Sequence, residues 1–309
     1  MATELGRWRR WLVSALALVA VVAACDSGSK GPTAPTAPSP PAPTPPVTPL
    51  TAVLAGAGDI ALCGGDGARQ TAALLDGIDG TVMAVGDLAY MEGTIEQFER
   101  CYDPTWGRHR NRTRPIPGNH EYLTAGAAPY YAYFGDRAGP AGLGYYSYQL
   151  GAWLVLAMNS NLPIGHGSAQ LEWARSELRG TSSQCVAVCV HHPRFSSGPN
   201  GNGDNVRDLW ALLYEYRVEL VVSGHDHLYE RYAPQDAAGR LDLDKGVRLF
   251  VAGTGGHDVY AVARVQPNSE VRHSGWGVLK LTLASDRYSW DFVAVPGQSF
   301  SDTGTTPCH

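Results

Sequence analysis

The sequence contains no apolar run long enough to cross a bilayer. Its longest, Trp11 to Ala24, has fourteen residues, against the roughly 20 that a spanning helix requires. Excess positive charge is also lacking. The 309 residues carry 24 basic and 29 acidic side chains, a net charge of -5, and residues 25–309 alone carry 21 and 28, a net of -7. Such a chain does not gather nucleic acid as a bulk partner. No two cysteines have CxxC spacing, which argues against a zinc site built from them. No internal repeat appears, and no linker divides residues 51–309. What is present, 44% apolar and 17% charged residues, suits an ordinary globular protein with a sizeable core.

The N-terminus has an organisation of its own. Arg7, Arg9 and Arg10 followed by the short apolar run predict a secretory signal peptide over residues 1–24. The run ends Val22-Ala23-Ala24-Cys25, which resembles the bacterial lipobox and implies an exported, membrane-anchored lipoprotein on the periplasmic or cell-surface side, lipidated on Cys25. A plain signal peptide with an incidental cysteine is the alternative. From Asp26 to Leu50 the chain has nine prolines among small polar residues, too few large apolar groups to offset ordering entropy. Residues 25–50 are therefore expected to be the anchor cysteine and a Pro-rich tether.

In an oxidising compartment the remaining cysteines, Cys63, Cys101, Cys185, Cys189 and Cys308, should pair, leaving one over. Cys189 lies inside an apolar strand-like run and reads as the buried free thiol. The preferred pairing is then Cys63 with Cys101 and Cys185 with Cys308, with zinc binding the alternative.

Four apolar, β-rich runs each end in a polar turn: Ala52 to Ala57, Thr81 to Val85, Cys185 to Val190 and Glu219 to Ser223. Helical stretches lie between them, at Gly67 to Leu75, Ser168 to Leu178 and Asn205 to Tyr216. This predicts an α/β domain over 51–309 with a largely buried sheet. Further runs at residues 145–150, 153–159, 247–252, 277–283 and 288–295 are expected to form a second sheet packed on the first. Asn111-Arg112-Thr113 matches a glycosylation acceptor but reads as a polar loop.

The turns concentrate Asp, Asn and His, and in open α/β sheets the loops leaving the strands' carboxyl ends form the ligand site. In order they are Gly58-Asp59, Gly86-Asp87-Leu88-Ala89-Tyr90, Gly118-Asn119-His120-Glu121, His191-His192-Pro193 and Gly224-His225-Asp226-His227. Each alone is weak, since a Gly-Asp is usually a turn and an HxH usually a surface loop. Together they supply a carboxylate able to bridge two metal ions and oxygen and imidazole ligands for either side. A glycine before Asp59, Asp87, Asn119 and His225 is expected to let the backbone turn sharply there.

This order and spacing resembles the calcineurin-like metallophosphoesterase superfamily over roughly residues 54–295, and specifically its purple acid phosphatase branch. The general pattern has histidine two residues after the first aspartate. Here that position is Ala61, while Tyr90 stands three residues after Asp87. The resemblance implies the metallophosphoesterase fold, a layered sandwich of two packed β-sheets flanked by helices. It also implies two metal ions, Fe(III) plus Zn, Fe(II) or Mn. Asp59, Tyr90 and His227 would hold the first, Asn119, His191 and His225 the second, with Asp87 bridging.

By the same resemblance the chain would hydrolyse phosphate esters, foremost phosphomonoesters, by metal-activated hydroxide. His120 would act as proton donor or phosphate contact, or would orient Asn119. His192 would contact substrate or, the favoured reading, support the site from behind. Glu230 and Arg231 are expected to make structural hydrogen bonds or ion pairs. Plant members place substrate-contacting histidines after the His-x-Pro motif, where this chain has Asn200-Gly201. They carry a β-sandwich ahead of the domain where this sequence has its proline spacer. The alternatives are a phosphodiesterase or nucleotidase at the same site, or a surface-binding module with a decayed site.

Overall fold

The computed structural model describes residues 51–309; the signal-peptide, lipid-anchor and tether expectations for residues 1–50 lie outside the described residues. In chain order the strands are β1 (Ala52–Ala57), β2 (Ala61–Leu62), β3 (Thr81–Val85), β4 (Ala89–Tyr90), β5 (Thr113–Ile116), β6 (Tyr146–Leu150), β7 (Trp153–Met158) and β8 (Cys185–Val190). They continue with β9 (Leu220–Ser223), β10 (Tyr229–Tyr232), β11 (Arg248–Ala252), β12 (Ser269–His273), β13 (Gly277–Leu283), β14 (Arg287–Ala294) and β15 (Thr303–Pro307).

One sheet has the order β15-β14-β13-β1-β3-β5, the other β12-β10-β11-β9-β8-β7-β6, and β2 pairs with β4 apart from both. In the first, β1, β3 and β5 run parallel. In the second, β7, β8, β9 and β11 do. The parallel strands are nearly all apolar because both of their faces are covered. Along β7, for example, Trp153, Val155 and Ala157 point into the core between the sheets, while Leu154, Leu156 and Met158 point to a helical layer. That layer contains the helices Ala169–Gly180 and Arg207–Glu215; Gly67–Asp76 and Ala128–Phe134 cover the other sheet.

The expected two-sheet sandwich is therefore present, but its strands are sorted differently. The runs at 277–283 and 288–295 join β1 and β3, and those at 145–150, 153–159 and 247–252 join β8 and β9. An apolar run suits either sheet, and its partner is set by long-range register. Six strands escaped sequence reading, two of them the two-residue β2 and β4. β5 contains Pro115 and is tolerated because it lies at a sheet edge. β10, β12 and β15 are rich in charged or polar residues and sit toward the margins. Asn111 lies in the short 3-10 helix Trp106–Arg112 rather than a loop.

Cys63 is bonded to Cys101 and Cys185 to Cys308, and Cys189 is a buried free thiol facing the core between the sheets. Among the described residues no helix is long and apolar enough to cross a membrane.

Glu219, just before β9, accepts a hydrogen bond from the Val186 N–H (2.7 Å), yet its other carboxylate oxygen is buried without a partner. Burial pushes this carboxyl up to about 7. The folded chain thus holds this proton more tightly than the unfolded one, so folding loses stability as pH rises from about 4.5 through 7. Glu219→Gln should be more stable than the parent at pH 8 by roughly 2 kcal/mol, with the difference vanishing near pH 4.5. Urea unfolding at both pH values checks this, and an equal effect at the two would refute it.

Candidate metal centre

All five motif loops leave the carboxyl ends of parallel strands, Asp59 after β1, Asp87 after β3, Asn119 after β5, His191 after β8 and His225 after β9. The glycines act otherwise than expected. Asp59 (φ 61°), Asp87 (φ 52°) and His225 (φ 71°) themselves adopt the left-handed backbone, an unfavourable choice for a side-chain-bearing residue that recurs at functional sites. Of the four preceding glycines only Gly86 shares it. Their common property is close approach: a Cβ on Gly118 would strike the Asp87 carboxylate, and one on Gly224 would lie 2.6 Å from Asp59 Oδ2.

The seven expected ligands converge. The Tyr90 hydroxyl lies 2.9 Å from Asp59 Oδ1, 3.2 Å from Asp87 Oδ2 and 3.3 Å from His227 Nε2. On the other side His191 Nε2 is 3.1 Å from Asn119 Oδ1 and 3.2 Å from Asp87 Oδ2. Ligand atoms of Asp87, His191 and His225 all lie within 4.8 Å of one another. Asp87 thus touches both groups.

The imidazoles are pre-aimed. His191 Nδ1 is 2.9 Å from the Val85 carbonyl and His227 Nδ1 is 2.7 Å from that of Asp258. A ring that donates its Nδ1 proton to a carbonyl presents an Nε2 lone pair to the centre, the arrangement of metal-binding histidines. Backbone N–H groups hold the carboxylates, His225 N–H on Asp59 Oδ2 and His120 N–H on Asp87 Oδ1, both at 2.8 Å.

The electrostatics are those of a cation site. Burial works to raise both aspartates, but His227 beside Asp59 and His191 beside Asp87 outweigh it and hold each carboxyl below its usual range. Burial likewise opposes charge on His191, yet Asp87 lifts it to about 10, so a proton and a metal cation compete for its Nε2. Burial and the neighbouring His191 depress His225 to about 4, leaving it neutral. Burial, with Asp59 and Asp87, pushes the Tyr90 phenol well above its ordinary value. A buried phenol among two ionised carboxylates is unfavourable as an anion unless a strong cation shares the pocket. Hard oxygen donors with imidazoles fit such ions.

His120 packs on Tyr90 with ring centroids 4.5 Å apart, places Nε2 3.8 Å from Asp87 Oδ2, and directs Nδ1 at the Met91 carbonyl. Its ring hydrogen-bonds this carbonyl and not Asn119. His192 Nδ1 is 2.7 Å from the Ser160 hydroxyl, and its ring lies 4.4 Å from that of His225. His192 thus lies between Ser160 and a second histidine of the centre. Glu230 binds Ser197 and Ser269, and Arg231 pairs with Asp302 and Glu270, as expected. The Asn200 side chain donates to the His225 carbonyl (3.0 Å), so its loop is tied to the centre.

Sequence reasoning quoted Glu121 but gave it no role. Its buried carboxylate accepts from the N–H groups of Asp87 (3.0 Å), Leu88 (2.7 Å) and Gly118 (2.7 Å), pinning two ligand loops together. It missed Ser160, Tyr260, which stacks on His227 at 4.0 Å, and His257, 4.0 Å from Tyr90. His257 follows β11 and a Gly-Gly pair, the same strand, glycine and polar residue pattern that marked the other loops.

Comparison with known proteins bears on the family. An uncharacterized protein of Mycobacterium tuberculosis is 30% identical over 180 residues, covering 48% of this chain and 34% of its own length. The Fe(3+)-Zn(2+) purple acid phosphatase 12 of Arabidopsis thaliana is 28% identical over 172 residues, covering 48% and 36%. The chain thus spans about a third of the length of these relatives. The structure of purple acid phosphatase PPD1 from yellow lupin superposes with a TM-score of 0.69 at 20% identity, over 84% of this chain and 54% of that one. Residues 53–229, which carry all seven convergent side chains, match the calcineurin-like phosphoesterase family, and it is to this family that the chain belongs.

Proposed function

We propose that this protein is a metal-dependent phosphatase of the purple acid phosphatase type, hydrolysing small phosphomonoesters at a dinuclear centre of Fe(III) and Zn, Fe(II) or Mn. The observation that carries the reading is Tyr90, whose hydroxyl lies within 3.3 Å of Asp59, Asp87 and His227. Asp59, Tyr90 and His227 would hold one ion, Asn119, His191 and His225 the other, and Asp87 both. When bound, the ions would neutralise phosphate charge and lower the pKa of a water. His120 stands beside Asp87 with its side chain 23% exposed, placed to meet a phosphate or pass a proton to a leaving oxygen. His192 is held by Ser160 against His225 and would keep that ligand in place. An exported protein tethered through lipid on Cys25, with no nucleic-acid partner, completes the proposal.

The test is metal analysis with a visible spectrum and p-nitrophenyl phosphate turnover on purified protein. About two metals per chain and a visible band that disappears in Tyr90→Phe are expected, because the Tyr90 phenolate would supply the chromophore with Fe(III) bound. Absence of metal and turnover after iron, zinc and manganese reconstitution would sink the proposal.

A further inference from the structure

His257 occupies a clamped position beside the centre. The Gly255 N–H donates to the Gly58 carbonyl (2.8 Å) and the His257 N–H to that of Asp59 (3.0 Å). Trp276 Nε1 donates to the His257 carbonyl (2.7 Å), and a Cβ on Gly253 would lie 2.8 Å from Asp59 Oδ2. The segment is thus fastened to the loop that presents Asp59. The ring lies 4.0 Å from Tyr90 and 4.6 Å from His227, centroid to centroid.

His120, His191, His192 and His227 each engage Nδ1 with a carbonyl or hydroxyl. Both ring nitrogens of His257 are shielded from solvent, and neither has a hydrogen-bond partner. Packing alone would be served by an apolar ring, since a buried imidazole gives up water's hydrogen bonds and needs a partner in return. Beside Tyr90 and His227 an imidazole N–H can donate to an oxygen-bearing group that binds at the centre.

We infer that His257 is a substrate-binding residue that donates a ring N–H to a phosphate oxygen on the Tyr90 side of the centre. The inference rests on the phosphatase reading above and deepens it. It supplies a phosphate contact in a chain whose loop after His191-His192-Pro193 carries Asn200-Gly201 and no histidine.

The experiment compares wild type, His257→Phe and His257→Gln. Inorganic phosphate binding is measured by calorimetry, kcat and KM with p-nitrophenyl phosphate, and metal content and thermal midpoint serve as controls. At unchanged metal content, His257→Phe should weaken phosphate binding and raise KM about tenfold, the effect of one hydrogen bond to a charged group. His257→Gln, which keeps a donor, should recover most of it. A Phe variant that binds phosphate like wild type overturns the inference. Should that variant fail to fold, histidine ¹⁵N spectra of the zinc-loaded wild type decide: the His257 ring signal must move saturably with inorganic phosphate, and a static signal overturns the inference. Wild type that neither binds phosphate nor turns over the ester would instead remove the phosphatase reading itself.

Discussion

Asp87→Ala should lower p-nitrophenyl phosphate turnover by at least about a thousandfold, more than the 10–100-fold typical for an outer partner of a metal site, and should leave fewer than two metals per chain. Asp87 has one oxygen in contact with both halves of the centre, Oδ2 lying 3.2 Å from the Tyr90 hydroxyl and 3.2 Å from His191 Nε2. It is also buried, and its second oxygen receives the His120 N–H at 2.8 Å. Removing it takes away a bridging charge, the anion that keeps His191 in place and the acceptor that positions the His120 loop. Asp87→Asn separates these roles, because the amide oxygen can still accept from His120 while the charge is gone. It should fold like the parent and still lose metal. Metal analysis after dialysis, with kcat/KM on the same samples, reads both variants. Full metal occupancy and turnover in Asp87→Ala would show that the bridging assignment is wrong.

Loss of the Cys185–Cys308 disulfide should carry the largest stability effect. Cys185 opens β8 in the seven-stranded sheet, and Cys308 follows β15 at the edge of the six-stranded one. The bond therefore ties the two layers across a sequence separation of 123 residues. Closing so long a loop restricts the unfolded chain strongly, and its removal typically costs about 2–5 kcal/mol. For a domain of this size that lowers the melting temperature by roughly 5–15 °C. Cys308→Ser in urea and thermal unfolding measures it. The Cys63–Cys101 bond closes a separation of 38 residues, and loop entropy makes its loss milder by about 1 kcal/mol. Equal or reversed effects would mean that native-state strain, not chain entropy, dominates at one of the two bridges.

The seven convergent side chains were legible because each belongs to a local signature. An apolar run breaks at glycine and a polar residue follows, and this pattern does not depend on which strands later pair. Tyr90 was read through the family resemblance, from its place three residues after Asp87, and Cys189 from its apolar neighbours. The fastening of the site was not legible. Glu121 matters because its carboxylate reaches back to N–H groups more than thirty residues earlier. Ser160 serves His192 across a separation of 32 residues, and His257 reaches Tyr90 only because β11 runs parallel beside β9.

By itself, then, the sequence determined the α/β class, the order of the motif loops and the donor atoms they present, all of which follow from short-range pattern and side-chain chemistry. Tertiary structure alone decided which strands share a sheet, how the ligand loops are braced and which histidine lies against Tyr90. Those depend on hydrogen-bond register and close packing between segments far apart in the chain, for which neighbouring residues carry no signal.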